Sequence, residues 1–216
     1  MNGVVQRLED SVFSNTNNQR RIIHLDKNEL LRGLEFIDPL YRAIKDKKAV
    51  DITYQSFKAA AANVLTIHPQ LLKEFNNRWF VLAYRKNNMA TFALDRIQCI
   101  SNSVQTDYID CEIDGDTYYE HVVGVTVANS EVQDIEFWVD KKNTPYVLTK
   151  PLHKSQQLLR TTADGSYFSM AVIPNRELER LLLGFGHSLL VTKPQKLRDR
   201  LFDDIKRSTA AYKALP

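Results

Sequence analysis

Apolar and polar positions change period several times along this chain, and each change marks an element. Leu40, Ala43 and Ile44 fall on one stripe behind Asp38-Pro39. Asp suits the cap of a helix and Pro its first turn, while Lys45, Lys47 and Lys48 suit the opposite end of the dipole, so the spacing predicts a helix over 38–48. Alternation then takes over. Val50, Ile52, Tyr54 and Ser56 share one face of a strand. Asn63–Leu72 reads as a second strand, with Pro69 marking an edge or a bend. Arg78–Tyr84 and Thr91–Ile100 are two more, joined through the polar turn Lys86-Asn87-Asn88. One helix and four or five strands in about 65 residues predict a small, strongly bent sheet closing into a barrel. A flat sheet of that size would leave long apolar edges open.

A second set of elements follows a polar interval. Val132–Val139 reads as a strand, with Ile135, Phe137 and Val139 on one face, and Lys141–Leu148 as a short helix. Ser155–Thr161 and Ser166–Ile173 form a hairpin about Asp164-Gly165. Asn175 caps a helix that carries Leu178, Leu181 and Leu182, with Glu177 and Glu179 in its first turn. Gly184 and Gly186 end it, His187–Thr192 is a last strand, and Pro194 opens a charged C-terminal helix. The order β-α-β-β-α-β is that of a ferredoxin-like sandwich. The fold class is therefore α+β in two units: a peripheral segment 1–37, a barrel 38–105, a connector 106–120 and an extension domain 121–213. Within the first segment, Val4–Phe13 reads as a short amphipathic helix and Arg21–Leu25 as a short strand.

A hydrophobic content of 44% is enough for real cores in both units. Cys99 and Cys111 form no CxxC pair and have no histidine cluster nearby, which predicts reduced thiols and no zinc site. No apolar run approaches the roughly 18 residues of a membrane span, and the N-terminus carries no signal-peptide pattern. These features predict a soluble, cytoplasmic protein with no membrane partner.

The formal net charge of +3 conceals a strong asymmetry. Residues 38–105 carry ten Lys/Arg against five Asp/Glu, residues 106–140 carry ten Asp/Glu and no Lys or Arg, and residues 141–216 carry fourteen Lys/Arg against six acids. Two basic blocks around an acidic one suit anionic ligands, and suit equally a pairing of acidic and basic blocks within the protein or across a dimer.

The chemistry concentrates on the hairpin from Arg78 to Arg96. A half-buried guanidinium needs an anionic partner, either a carboxylate or a phosphate. Tyr54, Ser56 and His68 add two hydroxyls and an imidazole to the same small sheet, and Arg78 and Arg96 supply planar bidentate donors. Phe57, Trp79 and Phe80 could stack on bases, although Trp79 and Phe80 lie in an apolar strand and suit the core better. There is no P-loop, GxSxG, HExxH or Gly-rich dinucleotide turn. That predicts no enzyme, no cofactor and no metal.

The ordered set Ile52-Thr53-Tyr54-Gln55-Ser56, Ile67-His68-Pro69, Arg78-Trp79-Phe80-Val81 and Leu94-Asp95-Arg96-Ile97 resembles a WYL domain. Pro151-Leu152-His153-Lys154-Ser155-Gln156, Asp164-Gly165, Pro174-Asn175-Arg176-Glu177-Leu178 and Val191-Thr192-Lys193-Pro194 resemble the extension that follows it. The resemblance covers roughly residues 38–213. It implies an SH3-type, Sm-like barrel followed by an α/β extension. It also implies a bacterial transcription regulator whose WYL domain senses single-stranded nucleic acid or a nucleotide-like effector and which forms a homodimer. The family's ligand set falls here on Tyr54, Ser56, His68, Arg78 and Arg96. Two departures stand out. The naming triplet is Trp79-Phe80-Val81, so the tyrosine hydroxyl is missing. The 37 residues before Asp38 are also too few and too polar for a winged helix-turn-helix, which favours ligand sensing over operator binding. The competing expectation is a purely structural oligomerisation module in which the arginines pair internally with carboxylates such as those of 106–120.

Overall fold

The computed structural model describes residues 31–104 and 106–215, so the expected helix Val4–Phe13 and strand Arg21–Leu25 lie outside the described residues. A 3-10 turn, Leu34–Phe36, runs directly into α1 (Ile37–Lys45). The helix thus begins before Asp38, which sits in the first turn rather than at the cap and there faces the positive end of the dipole. The stripe buries Ile37, Leu40 and Ala43.

Five strands follow: β1 (Val50–Tyr54), β2 (Asn63–Phe75), β3 (Arg78–Arg85), β4 (Asn88–Ala93) and β5 (Ile97–Asn102). They form one antiparallel sheet in the order β4-β3-β2-β1-β5. Two-residue turns at Asn76-Asn77 and Lys86-Asn87 hold four positive φ angles (52°, 59°, 48° and 65°), the backbone that matches the twist of a tight hairpin. β2 pairs with β1 through Asn63–Ile67 and with β3 from His68 onward, and its register slips between Pro69 and Leu71. Pro69, which has no N–H to donate, sits at that slip.

The run Thr91–Ile100 is not one strand. A 3-10 turn, Leu94–Arg96, divides it into β4 and β5. Leu94 and Ile97 are both buried, so the apolar pattern continues across the break and hides it. Nor is a closed barrel found: among the described residues β4 pairs only with β3 and β5 only with β1, which leaves the five-strand order open. The core beneath the sheet is built from Ile37, Leu40, Ile52, Ile67, Val81 and Leu94.

Residues 106–114 form no helix or strand, yet their first part packs on this sheet. The Tyr108 hydroxyl donates to the Pro69 carbonyl at 2.6 Å. The Gln70 amide bridges the segment, donating to the Ile109 carbonyl at 2.8 Å and accepting from the Cys111 N–H at 2.9 Å. Lys47 pairs with Asp110 at 2.7 Å. The chain divides into two compact units between Gly115 and Asp116, so this stretch belongs to the first of them.

The second unit holds β6 (Gln133–Asp140), α2 (Thr144–Thr149), β7 (Gln157–Thr161), β8 (Gly165–Val172), α3 (Arg176–Leu183), β9 (Leu189–Lys193) and α4 (Gln195–Ala214). Its sheet is antiparallel throughout, in the order β7-β8-β6-β9. Alternation puts Ile135, Phe137 and Val139 of β6 beside Phe168, Met170 and Val172 of β8 in the core, and Leu178 and Leu182 of α3 close over them. Asn175 caps α3 as its sequence position predicts: its Oδ1 accepts the Leu178 N–H at 2.8 Å. Its Nδ2 also donates to the carbonyls of Val123 and Thr126, at 2.9 and 2.8 Å, which fastens the incoming chain to the helix. Gly165 is required for a reason other than turn geometry, since a Cβ there would lie 2.2 Å from the Val139 carbonyl oxygen and 2.8 Å from the Trp138 indole nitrogen. Part of the C-terminal basic block is neutralised internally. Glu179 holds Arg176 and Arg200, each at 2.9 Å, and Asp204 holds Arg176 and Arg207, which ties α3 to α4. No helix among the described residues is long and apolar enough to cross a membrane.

Candidate ligand cleft of the first unit

The turn Leu94–Arg96 is held from behind by Gly33. That residue is buried, its φ is +87°, and a Cβ on it would lie 2.4–2.6 Å from the backbone of Leu94 and Asp95. From the front the turn is tied to the end of β1 by the Gln55 N–H, which donates to the Arg96 carbonyl at 3.1 Å. The Gln98 amide in turn donates to Gln55 Oε1 at 3.0 Å. These contacts fix the place of Asp95 and Arg96.

Asp95 is 14% exposed and lies between two arginines, with Oδ2 at 3.7 Å from Arg78 Nε and Oδ1 at 3.9 Å from Arg96 Nε. Both separations exceed a hydrogen bond. Accordingly Arg96 Nε and Asp95 Oδ1 are buried without a hydrogen-bond partner among the described residues. The Arg96 guanidinium instead lies over the Phe57 ring, 4.1 Å from its centroid. Phe57 is 74% exposed, a large apolar surface left in water. Arg96 and Phe57 form part of the wall of an open cleft of about 660 Å³, together with Arg32, Glu35, Gln55 and Ser56.

The five residues singled out in the sequence are divided by the structure. Ser56 and Arg96 line the cleft. Ser56 does so from the loop after β1, not from the strand face expected for it. Arg78 opens β3 and reaches the site through Asp95. Tyr54 ends β1 half-buried, packed edge-on against Phe92 at 5.2 Å, and does not line the cleft. His68 lies apart from it. The anionic partner of the arginines is Asp95 rather than a carboxylate of 106–120, because a helical turn lets neighbouring side chains converge where a strand would send them to opposite faces. Gln55, Gln98, Arg32 and Glu35 carried no signal of their own in the sequence. Trp79 is partly buried against the core, and Phe57 is the aromatic left free to stack.

His68 is sealed by the acidic segment. Its Nδ1 accepts the Ile109 N–H at 3.1 Å, which fixes it as the acceptor of a neutral ring. The ring lies near Tyr84 and Tyr108, with centroids 6.0 and 6.1 Å away. Burial pushes the imidazole below its ordinary 6.5. Nearby, burial and the Asp110 charge push the Tyr108 hydroxyl up to about 12, so it stays a donor. A depressed histidine pKa stabilises the folded state in full above 6.5 and loses that contribution as pH falls below 6.5 toward the folded value. Protonation also removes the lone pair that holds Ile109. The protection factors of the Ile109 and Cys111 amides, taken relative to intrinsic exchange, should therefore fall as pH drops below 6.5, and His68→Gln should flatten that dependence. An Ile109 amide equally protected on both sides of 6.5 would contradict the assignment.

The family models of known proteins fall on these two units. Residues 35–101 match the WYL domain. Residues 131–208 match the WCX domain. This is a WYL-domain protein, with a WCX domain after it. Most of the cleft lies within the WYL match, which includes Gln55, Ser56, Phe57, Asp95, Arg96 and Gln98, while Arg32 and Gly33 precede it. None of the curated proteins matches the chain by sequence. Among solved structures, the WYL–WCX chain is similar to a CRISPR Cas-related protein at a TM-score of 0.51 and 9% identity, over 84% of this chain and 52% of that one. It is also matched to proteasome accessory factor B/C (PafBC) of Arthrobacter aurescens, at a TM-score of 0.34 and 13% identity, over 88% of this chain and 29% of that one. The chain thus spans about a third to a half of the length of these two proteins.

Proposed function

We propose that this chain is the ligand-sensing and dimerisation part of a bacterial transcription regulator. Its WYL domain binds single-stranded nucleic acid or a nucleotide-like effector at the Phe57–Arg96 cleft. In this proposal the first sheet is an Sm-like curl that carries the cleft, and the WCX domain is a ferredoxin-like unit that serves assembly. The role is sensory, not catalytic. One observation carries it. An exposed aromatic ring is overlaid by a guanidinium whose Nε lies 3.9 Å from Asp95 and has no hydrogen-bond partner among the described residues, with a second arginine beside it. Stacking on aromatics and on arginine planes, together with cationic contact to the backbone, is how single strands are held. The Ser56 hydroxyl adds a neutral donor on the cleft wall.

The variant carrying Arg78→Ala and Arg96→Ala should bind a short single-stranded oligonucleotide at least about tenfold more weakly, with a shallower salt dependence because fewer counterions are released. Fluorescence anisotropy across a salt series measures both. Asp95 lies between the two arginines, so the double variant leaves a poorly hydrated carboxylate unpaired. Adding Asp95→Asn removes that charge and separates lost binding from lost folding. Unchanged affinity in a folded variant would overturn the site.

A second reading has Asp95 in its favour. The carboxylate between the arginines suits a structural module in which both are paired within the protein. On that reading the double variant loses stability and oligomeric order, and the wild-type chain binds no oligonucleotide.

A further inference from the structure

Taking the effector cleft proposed above as its starting point, we infer that the Phe57–Arg96–Asp95 corner receives a nucleobase edge, and that the base it selects is guanine. Asp95 decides base over phosphate at this position. Its carboxylate lies between Arg78 and Arg96, within 4 Å of both, and is only 14% exposed. A phosphate approaching Arg96 would meet that negative charge at short range in a partly desolvated wall. A neutral base meets no such cost. The phosphates of the same ligand fall instead to the exposed Arg32 on the cleft wall, which no ion pair ties to Asp95 among the described residues.

The geometry of the corner suits a flat ligand. Phe57 offers an open ring, and Arg96 already lies on it at 4.1 Å, so a planar group entering the cleft finds an aromatic surface and a guanidinium plane together. The backbone bond from Gln55 to Arg96 and the Gln55–Gln98 amide contact hold this corner in place.

The choice of base follows from the donors and acceptors. Arginine is a donor only, and its fork matches the O6 and N7 acceptors of guanine. A carboxylate is an acceptor only, and guanine alone among the bases offers it both a ring N–H and an adjacent exocyclic amino group. Arg96 with Asp95 sets one of each side by side, and Glu35 adds a second carboxylate to the same cleft. Adenine presents a single amino group here and no carbonyl for the arginine. Thymine lacks the exocyclic amino group.

The test uses the whole chain and short oligo-dT strands that carry one central dG, dA or deoxyinosine, read by fluorescence anisotropy at fixed salt. The dG strand should bind roughly tenfold or more tightly than the dA strand or plain oligo-dT, as one bidentate base contact allows. Deoxyinosine, which keeps O6 and N7 but lacks the amino group, should fall between them. Asp95→Asn should abolish the dG preference, bringing the dG, dA and oligo-dT strands to one common affinity. Arg96→Lys keeps the charge without the fork and should also abolish it, which covers the case in which Asp95→Asn does not fold. A guanosine mononucleotide, tested as competitor, separates a free nucleotide effector from a strand: displacement of the dG strand supports the base assignment with a nucleotide as ligand, and failure to displace supports it with a strand. Equal affinity for dG, dA and oligo-dT strands would overturn the guanine assignment and leave the effector reading intact. Binding of none of them, mononucleotide included, would overturn both.

Discussion

Replacing Gly33 by alanine should destabilise the first unit by about 2 kcal/mol or more and weaken ligand binding with it. Two independent costs meet at this residue. Its φ of +87° lies in the left-handed region that a Cβ disfavours. The Cβ would also sit 2.4 Å from the Leu94 carbonyl carbon, 2.5 Å from its oxygen and 2.6 Å from the Asp95 nitrogen. These are backbone atoms, which cannot rotate aside as a side chain would, so the turn Leu94–Arg96 has to move. Arg96 moves with it, away from Phe57. Urea denaturation gives the stability, and oligonucleotide anisotropy under folded conditions gives the binding. Wild-type values for both would show that the turn is not held from Gly33.

Phe137→Ala should cost the second unit about 3–5 kcal/mol, the range for truncating a buried phenylalanine where the surroundings cannot collapse into the space. Phe137 is 0% exposed in the centre of β6. It lies directly opposite Phe168 of β8 in the strand register, and the two rings stack with centroids 5.5 Å apart and planes 18° from parallel. Ile135 and Val139 flank it on the same face, and Leu178 and Leu182 complete the cluster. Backbone pairing on both sides, to β8 and to β9, holds β6 in place and so resists closure of the cavity. Phe137→Leu should recover much of the loss. The readout is the urea midpoint at constant slope, since a changed slope would mean a changed unfolded or native state. A midpoint unaltered by Phe137→Ala would contradict the assigned core.

Much of this architecture could be read from period and punctuation. The 3.6-residue spacing of Leu40 and Ala43 and the alternation through β6 and β8 are local patterns, and local patterns survive in sequence, although the stripe extends to Ile37 where the sequence suggested Ile44. The Asn175 cap is legible for the same reason, because its hydrogen bond spans three residues. What remained hidden depends on pairing at a distance. A helical turn of three residues inside Thr91–Ile100 leaves no periodic trace when apolar residues stand on both sides of it. That turn decides the site. It brings Asp95 onto the same side as Arg78 and Arg96, which alternation along a strand forbids. His68 shows the converse. An imidazole amid apolar neighbours suggested a ligand contact, yet its acceptor is satisfied by Ile109, 41 residues further along the chain. The sequence marks Phe57 as an aromatic that could stack on a base. Its exposure follows only from its place on the loop after β1.

In the proposed complex a single strand lies on Phe57 beside Arg96. Photocrosslinking reads that contact, with a short oligonucleotide that carries 5-iodouracil, which couples to an aromatic ring stacked against it. After irradiation and tryptic digestion, the crosslink should fall on the peptide that runs from Ala49 to Lys58, at Phe57, and should disappear in Phe57→Ala. Crosslinks confined to other peptides, or the same yield on this peptide in Phe57→Ala, would contradict it.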